Sequence, residues 1–223
     1  MKTLSLILSL SLLLFVSCSS EDNNSQQNNN NNNNFETVEI CNQIWMLDNL
    51  NVTNYRNGDP IPQVTDPTEW GNLTTGAWCY YSNNSGNEEV YGKLYNWYAI
   101  SDPRGLAPEG WHIPTEAEWN SLSNCLGGDN LAGGFLKESG FSHWAEPNTS
   151  ATNSSGFTGL PGGFRESYGD FFDKSFVGYF WISAENTTTN SWGRYLYYDN
   201  TQLGYDDVFI SKEDGFSVRC IKD

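Results

Sequence analysis

The stretch Pro114-Thr115-Glu116-Ala117-Glu118-Trp119 begins a helix and orients one face of it toward the core. Thr115 as N-cap and Glu118 three residues later can each accept an otherwise unpaired backbone N–H of the first turn, which is the capping-box pattern. From Trp119 to Leu126 the apolar residues recur every third or fourth position, so they share one helical face. Gly127-Gly128 then favours a left-handed end. The sequence therefore predicts an amphipathic helix that starts after Thr115.

Outward from this helix, the sequence predicts a mixed fold. Residues Leu94 to Ile100 favour a shorter helix, and Leu131 to Lys137 favour a third, although the Gly133-Gly134 pair disfavours it. Elsewhere, short aromatic or β-branched runs alternate with turn residues, which is typical of strands. These runs are Val38 to Leu47, Ala77 to Tyr81, Gly178 to Ser183, Trp192 to Tyr198, Tyr205 to Ile210 and Phe216 to Ile221. We predict an α+β domain with short helices in the first half, and twisted antiparallel strands and long loops in the second.

Composition limits the class of protein further. The chain has 223 residues, of which 15% are aromatic, and a formal charge of −16. Rings in this number offer far more buriable area than a disordered polar chain has. The acidic balance argues against nucleic acid as a partner, because that binding needs clustered Lys and Arg. Residues 35–223 contain no low-complexity break and no repeat, so we predict one domain there.

The N-terminal residues predict export. Residues 1–17 combine Lys2 with an apolar run from Leu4 to Val16, which is typical of a signal peptide and too short for a membrane-spanning helix. Phe15-Val16-Ser17-Cys18 resembles a bacterial lipobox, in which the Cys is acylated and becomes the mature N-terminus. We expect a lipid on Cys18, and a plain secretory peptide is the alternative.

A polar tether is predicted to follow the lipid. Ser19-Ser20-Glu21-Asp22 looks like the acidic tag that sends lipoproteins of Bacteroidetes-type bacteria to the outer face of the outer membrane. The rest of residues 18–34 is almost entirely Asn and Gln, which offer too little apolar surface to offset the entropy of ordering. The expected localisation is therefore the outer membrane, with the domain lipid-anchored and exposed at the cell surface.

Several strings of the domain resemble one known family. They are Trp45-Met46-Leu47-Asp48-Asn49-Leu50, Asn57-Gly58-Asp59-Pro60-Ile61-Pro62, Tyr91-Gly92-Lys93-Leu94-Tyr95-Asn96-Trp97-Tyr98, Gly110-Trp111-His112-Ile113-Pro114-Thr115, Gly156-Phe157 with Leu160-Pro161-Gly162-Gly163-Phe164-Arg165, and Gly215-Phe216-Ser217-Val218-Arg219-Cys220. Together they look like the Fibrobacter succinogenes major paralogous domain of secreted and lipid-anchored bacterial proteins, over roughly Glu39 to Asp223. That family is similar to the C-type-lectin-like fold and to sulfatase-modifying domains. The resemblance implies that the N- and C-terminal strands meet and that a large loop region serves binding, and it implies no activity.

Four cysteines remain after Cys18, and they allow three pairings. Cys41 and Cys125 depart from the family pattern, whereas Cys79 and Cys220 stand at positions typical of the family. The resemblance therefore favours disulfides Cys41–Cys125 and Cys79–Cys220, which an exported domain permits. Buried free thiols are the alternative, because a domain of this size does not need covalent links.

The sequence offers little that is typical of an enzyme. It has no G-x-S-x-G, no H-E-x-x-H and no phosphate-binding loop. Of its two histidines, His112 is expected to be a hydrogen-bonded structural residue and His143 to be an exposed loop residue. We predict a chain that is not an enzyme. An unrecognised hydrolase or redox enzyme is the third hypothesis, after a binding module and a structural or adhesive assembly subunit.

A binding function is favoured instead. Glu146-Pro147-Asn148 matches the tripeptide with which C-type lectins hold Ca²⁺ and sugar, and Tyr198-Asp199-Asn200 imitates the rest of such a site. Glu146, Asn148, Asp199 and Asn200 are thus candidate calcium ligands, with a chance match as the alternative and calcium as the possible cofactor. Rings, amides and guanidinium groups in the second half suit sugar faces and hydroxyls, although core packing also accounts for many of the rings. The candidate ligand-binding residues are Trp144, Asn148, Asn153, Arg165, Tyr168, Trp192, Arg194 and Tyr198.

From these observations we predict a surface-displayed binding module for glycan or an extracellular protein partner, attached to the membrane through its N-terminal lipid. The main alternative is a structural or adhesive assembly subunit.

Overall fold

The computed structural model describes residues 35–185, 187–206 and 210–223. The signal peptide, the lipidated Cys18 and the tether predicted from the sequence lie outside the described residues. The strands are β1 Thr37–Ile40, β2 Gln43–Met46, β3 Trp78–Cys79, β4 Leu94–Tyr95, β5 Trp111–His112, β6 Phe164–Arg165, β7 Phe171–Phe172, β8 Val177–Glu185, β9 Ser191–Tyr197, β10 Leu203–Asp206 and β11 Ile221–Lys222. The helices are α1 Pro67–Gly71, α2 Glu88–Tyr91, α3 Trp97–Ile100, α4 Glu116–Cys125 and α5 Asp129–Leu136. The predicted α+β class is confirmed, and every strand ladder is antiparallel.

Helix α4 follows the sequence signal closely. The hydroxyl of Thr115 accepts from the Glu118 backbone N–H, and the Glu118 carboxylate accepts from the backbone N–H of Thr115 at 2.7 Å. Trp119 and Leu122 are fully buried, and Gly127 and Gly128 have φ values of 93° and 91°. The predicted capping box and the left-handed end are both confirmed.

A four-stranded sheet joins the two ends of the domain in the order β1-β2-β11-β5. The sequence suggested one strand from Val38 to Leu47, but the chain turns back at Cys41-Asn42. Both turn residues have positive φ, 55° and 65°, which is the geometry of a two-residue hairpin. Ile221 of β11 pairs with Trp45 of β2, so the terminal strands meet as the resemblance implied.

A three-stranded sheet, in the order β10-β9-β8, separates two hydrophobic clusters. Phe180 and Leu196 pack in the cluster that contains Trp45 and Trp119. Trp181 points to the opposite face and joins the cluster that contains Met46 and Phe216. Hydrophobic clusters cover most of both faces of β8, so its sequence reads as an almost continuous apolar run, although Tyr179 stays partly exposed.

The other predicted elements differ from the structure in their bounds: β3 and β11 are shorter than the predicted runs, whereas β8 and α5 are longer. The segment from Leu94 to Ile100 divides into β4 and the single-turn helix α3, whose N-cap Asn96 accepts from the Ala99 backbone N–H. The third helix forms in spite of its two glycines, because Gly133 and Gly134 lie against the backbone of residues 150 and 201–202. A side chain at either glycine would collide with that backbone, so tertiary packing outweighs helix propensity here.

One predicted disulfide is confirmed and the other is wrong. Cys41 and Cys125 are bonded across 84 residues of sequence. Cys79 and Cys220 are buried free thiols that belong to different hydrophobic clusters, so neither has the other as a packing neighbour. Burial raises the pKa of each thiol to about 12, which keeps both protonated and unreactive.

Candidate functional site

Half of the residues predicted to bind a ligand are buried instead. Trp144 donates its indole N–H to the Gly159 carbonyl at 3.0 Å, and Asn148 donates its amide to the carbonyls of Glu138 and Gly140. Arg194 is 2% exposed and bonds Asn120 and Asp129. The prediction that these side chains face a ligand is wrong, because they satisfy polar groups inside the domain.

Arg165 is the fourth buried candidate, and it holds a hairpin in place. Its guanidinium lies over the Trp70 ring and donates to three carbonyls, those of Gly169, Val64 and Thr65, at 2.9, 2.7 and 3.0 Å. The side chain is fully buried, so it cannot contact a ligand itself. It instead fixes the hairpin of β6 and β7, whose tip carries Tyr168.

Three further candidates are half-buried and engaged with neighbours. Asn153 closes a turn by exchanging two hydrogen bonds with Thr158, at 2.8 and 2.9 Å. Trp192 packs against Tyr205, and Tyr198 packs edge-on against Phe176. Together with the buried residues, they contact different parts of the domain and do not form one site.

The two halves of the predicted calcium site meet around an ammonium group. The Thr149 backbone N–H donates to the Tyr198 carbonyl at 2.8 Å. Between these segments the buried Lys137 donates its Nζ to the carbonyls of Thr149, Tyr197 and Asn200, at 3.1, 3.0 and 2.8 Å. The loop carbonyls that could have bound a metal cation thus already bind the ammonium group of Lys137. Glu146 stays exposed. Burial lowers the pKa of Lys137 to about 8.

Tyr168 differs from the other candidates because it is 56% exposed. It stands at the tip of the β6–β7 hairpin, where the Gly169 N–H bonds the Glu166 carbonyl at 2.7 Å. Gly169 has a φ of 100°, and a Cβ there would come within 2.4 Å of Pro67, so this turn lies directly against α1. A hydrogen bond to the Glu166 carboxylate raises the pKa of Tyr168 to about 12.

An open groove lies between the hairpin tip, α1 and the turn before β11. Its volume is about 450 Å³, and its walls carry hydroxyl, amide and carboxylate groups. The lining residues are Pro67, Thr68, Gly71, Asn72, Ser167, Tyr168, Ser211 and Glu213. The groove is therefore polar, with one exposed ring at its edge.

Hydrogen bonds hold the floor of the groove in place. The Glu213 carboxylate accepts from the Tyr98 hydroxyl at 2.7 Å and from the Ser211 hydroxyl, while the Glu213 carbonyl accepts from the Trp70 indole at 2.7 Å. Beneath it lies the carboxyl of Asp214, which accepts from the Ser211 N–H at 2.8 Å through one oxygen. The carboxyl is buried, and burial raises the pKa of Asp214 to about 7.

A row of rings continues from the groove across the surface. Neighbouring ring centroids are 6.3 Å apart from Tyr168 to Phe172, 5.8 Å from Phe172 to Phe164, 5.2 Å from Phe164 to Tyr179 and 5.5 Å from Tyr179 to Tyr195. All five rings are exposed or partly exposed. We call this set the aromatic row, and it offers flat apolar surface beside a polar groove.

Sequence reasoning found Tyr168 but missed most of the aromatic row. Phe172 gave a weak signal, since it is one of two adjacent Phe residues in an acidic turn and only one of them can face Arg165. Tyr179 gave none, because β8 is apolar at every position from Val177 to Ile182 apart from Gly178. A period of two therefore cannot identify which side chain of such a strand stays partly exposed. The α1 side of the groove was also missed, because α1 contains a single turn.

The predicted hydrogen bonding of His112 is confirmed. Its Nδ1 lies 2.8 Å from the Asp223 carboxylate and its Nε2 lies 2.7 Å from that of Glu118. Burial alone would lower the pKa of His112, but these two carboxylates outweigh it and raise the pKa. His143 bonds Glu138 at 2.9 Å and packs against Tyr91, so it is less free than a plain loop histidine.

Within residues 35–185, 187–206 and 210–223, no three His, Cys, Asp or Glu side chains lie close enough to share a metal ion. The same residues contain no helix with the length and apolar character that crossing a bilayer requires.

The fold and this surface define an α+β domain with long loops, a polar groove and an aromatic row. Comparison with known families identifies it further: the model of the Fibrobacter succinogenes major domain matches residues 38–222. The chain therefore belongs to the Fibrobacter succinogenes major domain family. No curated protein and no solved structure matches it.

Proposed function

We propose that this chain is a lipid-anchored, surface-displayed and non-catalytic binding module that recognises glycan. The observation that carries the proposal is the position of Tyr168, which is exposed both to the groove and to the aromatic row. Anchoring through Cys18 is inferred from the N-terminal sequence, and the C-type-lectin-like class of the fold is inferred from the family resemblance.

The chemistry of the two surfaces favours sugar. A sugar ring has apolar C–H faces that stack on aromatic rings, and hydroxyl groups around its edge that exchange hydrogen bonds. The aromatic row offers rings for stacking, and Thr68, Asn72 and Ser167 offer groups for hydrogen bonds with the hydroxyls. A flat protein partner would require a larger apolar patch than five rings in a single row supply.

Recognition is expected to be independent of calcium. The carbonyls of Thr149, Tyr197 and Asn200 already bind the ammonium of Lys137, and the groove lies in another part of the fold. Chelation should therefore leave both glycan binding and the melting midpoint unchanged, since a tightly bound ion would raise that midpoint.

The test is a glycan array probed with the full-length chain, with and without Ca²⁺, followed by titration of any hit. Tyr168→Ala should reduce affinity about tenfold or more, because one stacking contact is lost. Phe141→Ala is the matched control, since Phe141 is 58% exposed and lies outside both the groove and the aromatic row. Unfolding curves of both variants should match that of the parent chain.

Loss of glycan binding in Tyr168→Ala alone supports the proposal. Equal loss in both variants, or in neither, contradicts it. A negative array also overturns it, and concentration-dependent self-assembly of the full-length chain would then favour the adhesive assembly subunit.

A further inference from the structure

A second cavity is lined by residues between Phe35 and Gly92 and shares no residue with the groove. It is bordered by the start of β1, the end of β2, the loop after β2 and the helix α2, and its volume is about 230 Å³. That is below the roughly 300–1,000 Å³ of sites for drug-sized ligands, so it suits a smaller molecule. We call it the β2–α2 cavity.

The floor of the β2–α2 cavity is apolar. Met46 and Leu50 are almost fully buried, and Phe35, Val52 and Val90 complete the apolar wall. Val90 is 36% exposed, so its side chain stands at the opening. Apolar side chains that line a concave surface favour a ligand with a hydrocarbon part.

Carboxylates surround this apolar floor. Glu36, Asp48, Glu88 and Glu89 all line the β2–α2 cavity. Glu88 is paired with Lys93, whereas Glu36, Asp48 and Glu89 form no salt bridge with any residue in the described part of the chain. All three are exposed at the rim. Asp48 interacts electrostatically with the buried Arg219 but forms no salt bridge with it. The carboxylates around this opening therefore still attract a cation and repel an anion.

The wall of the cavity already accommodates one ammonium group, which belongs to the chain. Lys93 is 1% exposed, and its Nζ bonds the Glu88 carboxylate at 2.8 Å and the Asn51 side chain. The same Nζ lies 4.7 Å from the centroid of the Trp78 ring and 5.2 Å from that of Tyr80. Carboxylate, amide and ring together replace the water around a primary ammonium. Glu88 and Asn51, which supply two of these contacts, also line the cavity.

From the apolar floor, the carboxylates at the rim and this internal example, we propose that the β2–α2 cavity binds a small primary alkylammonium ion. The hydrocarbon chain lies on Met46, Leu50 and Val52, and the ammonium is held at the rim by Asp48 and Glu89. The proposal does not depend on glycan binding in the groove, because the two sites share no residue.

The test is a titration of the full-length chain with n-pentylamine, followed by NMR of the methyl groups of Val52, Val90, Leu50 and Met46. Two probes of similar shape, 1-pentanol and pentanoate, change only the head group. We expect saturable shifts of these methyl signals with the amine, about tenfold weaker binding of the alcohol, and no binding of the acid. The alkylammonium ion could be a free amine or the side chain of a lysine in another molecule, and a parallel titration with Nα-acetyl-lysine amide distinguishes them. Tighter binding than that of pentylamine indicates a lysine side chain, and weaker binding indicates a free amine.

Variants locate the site. Asp48→Asn/Glu89→Gln should weaken pentylamine binding about tenfold, because the rim loses two of its charges. Glu109→Gln/Glu146→Gln removes the same charge from exposed positions outside the cavity and should leave the affinity unchanged. Equal affinity for amine and alcohol, equal effects of the two double variants, or the absence of saturable shifts would each overturn the proposal.

Discussion

The interior and the surface of this domain hold charges of opposite sign. Six of the eleven lysines and arginines are buried, whereas Asp214 is the one buried acidic side chain in residues 35–184, 187–206 and 210–223. The buried cations are Lys93, Lys137, Arg165, Arg194, Lys212 and Arg219. The surface is consequently more acidic than the balance of 27 acidic and 11 basic residues already implies.

The difference follows from the length of the loops. A carbonyl in a loop has no strand or helix partner, and a buried carbonyl without a hydrogen bond is costly. Lysine and arginine carry several donors on one long side chain, so one residue satisfies several carbonyls: Lys137 and Arg165 each bond three. Carboxylates have no donors and stay outside. The buried basic residues here therefore serve stability.

The largest effect on stability is expected from the disulfide Cys41–Cys125, which acts mainly by restricting the unfolded chain. Breaking Cys41–Cys125, which closes a loop of 84 residues, should lower the free energy of unfolding by about 4–5 kcal/mol in the chain-entropy model. Urea unfolding with and without reductant measures it. The sensitivity to reductant should disappear in Cys41→Ala/Cys125→Ala and persist in Cys79→Ala/Cys220→Ala. A parent chain that is indifferent to reductant would contradict the assignment.

Removing a buried cation should cost nearly as much. Arg165→Met leaves the carbonyls of Val64, Thr65 and Gly169 without a donor and should lower the free energy of unfolding by about 3–5 kcal/mol. Lys222→Met, at an exposed position, is the control and should stay within about 0.5 kcal/mol of the parent. Equal effects of the two variants would remove the contrast between interior and surface cations.

The buried acid Asp214 should make stability depend on pH. Its folded pKa of about 7 lies above the unfolded value, so the folded state retains a proton that the unfolded state releases. Stability should therefore fall as the pH rises from about 4 to 7, by about 2–4 kcal/mol. Asp214→Asn keeps an oxygen for the Ser211 N–H and carries no charge. The variant should be more stable than the parent at pH 8 and equal to it near pH 4, and a constant difference across this range would refute the idea.

The smallest effect is expected at the surface, at His112. Because the folded pKa is raised by Glu118 and Asp223, this histidine contributes stability that is complete below pH 6.5 and is lost as the pH rises through the folded pKa. The ring is about one-third exposed, so His112→Gln should cost less than about 1 kcal/mol at pH 5.5 and nothing at pH 9. Chemical denaturation at the two pH values measures the difference. A larger loss of stability at pH 9 than at pH 5.5 would contradict a raised pKa of His112 in the folded state.

The candidate site could be predicted only in part. Tyr168 was found because aromatic residues in polar turns of the second half suggested sugar contacts. Arg165 and Arg194 were selected on the same grounds but proved to be buried. A guanidinium beside rings has the same sequence signature whether it faces a ligand or a set of loop carbonyls. Only the distances to those carbonyls separate the two cases.

The family was recognised from strings of residues that resemble it. By itself, the sequence also determined the features that depend on neighbouring residues: the capping box at Thr115, the helix that follows it and the α+β class. These depend on hydrogen bonds and packing within one or two turns, which residue type and spacing encode directly. Tertiary structure decided which cysteines pair, which cations are buried, and how Tyr168, Phe164 and Tyr195 come to lie in one row. Those outcomes join residues that are tens of positions apart, and their free energy depends on the packing around both partners, which no local pattern contains.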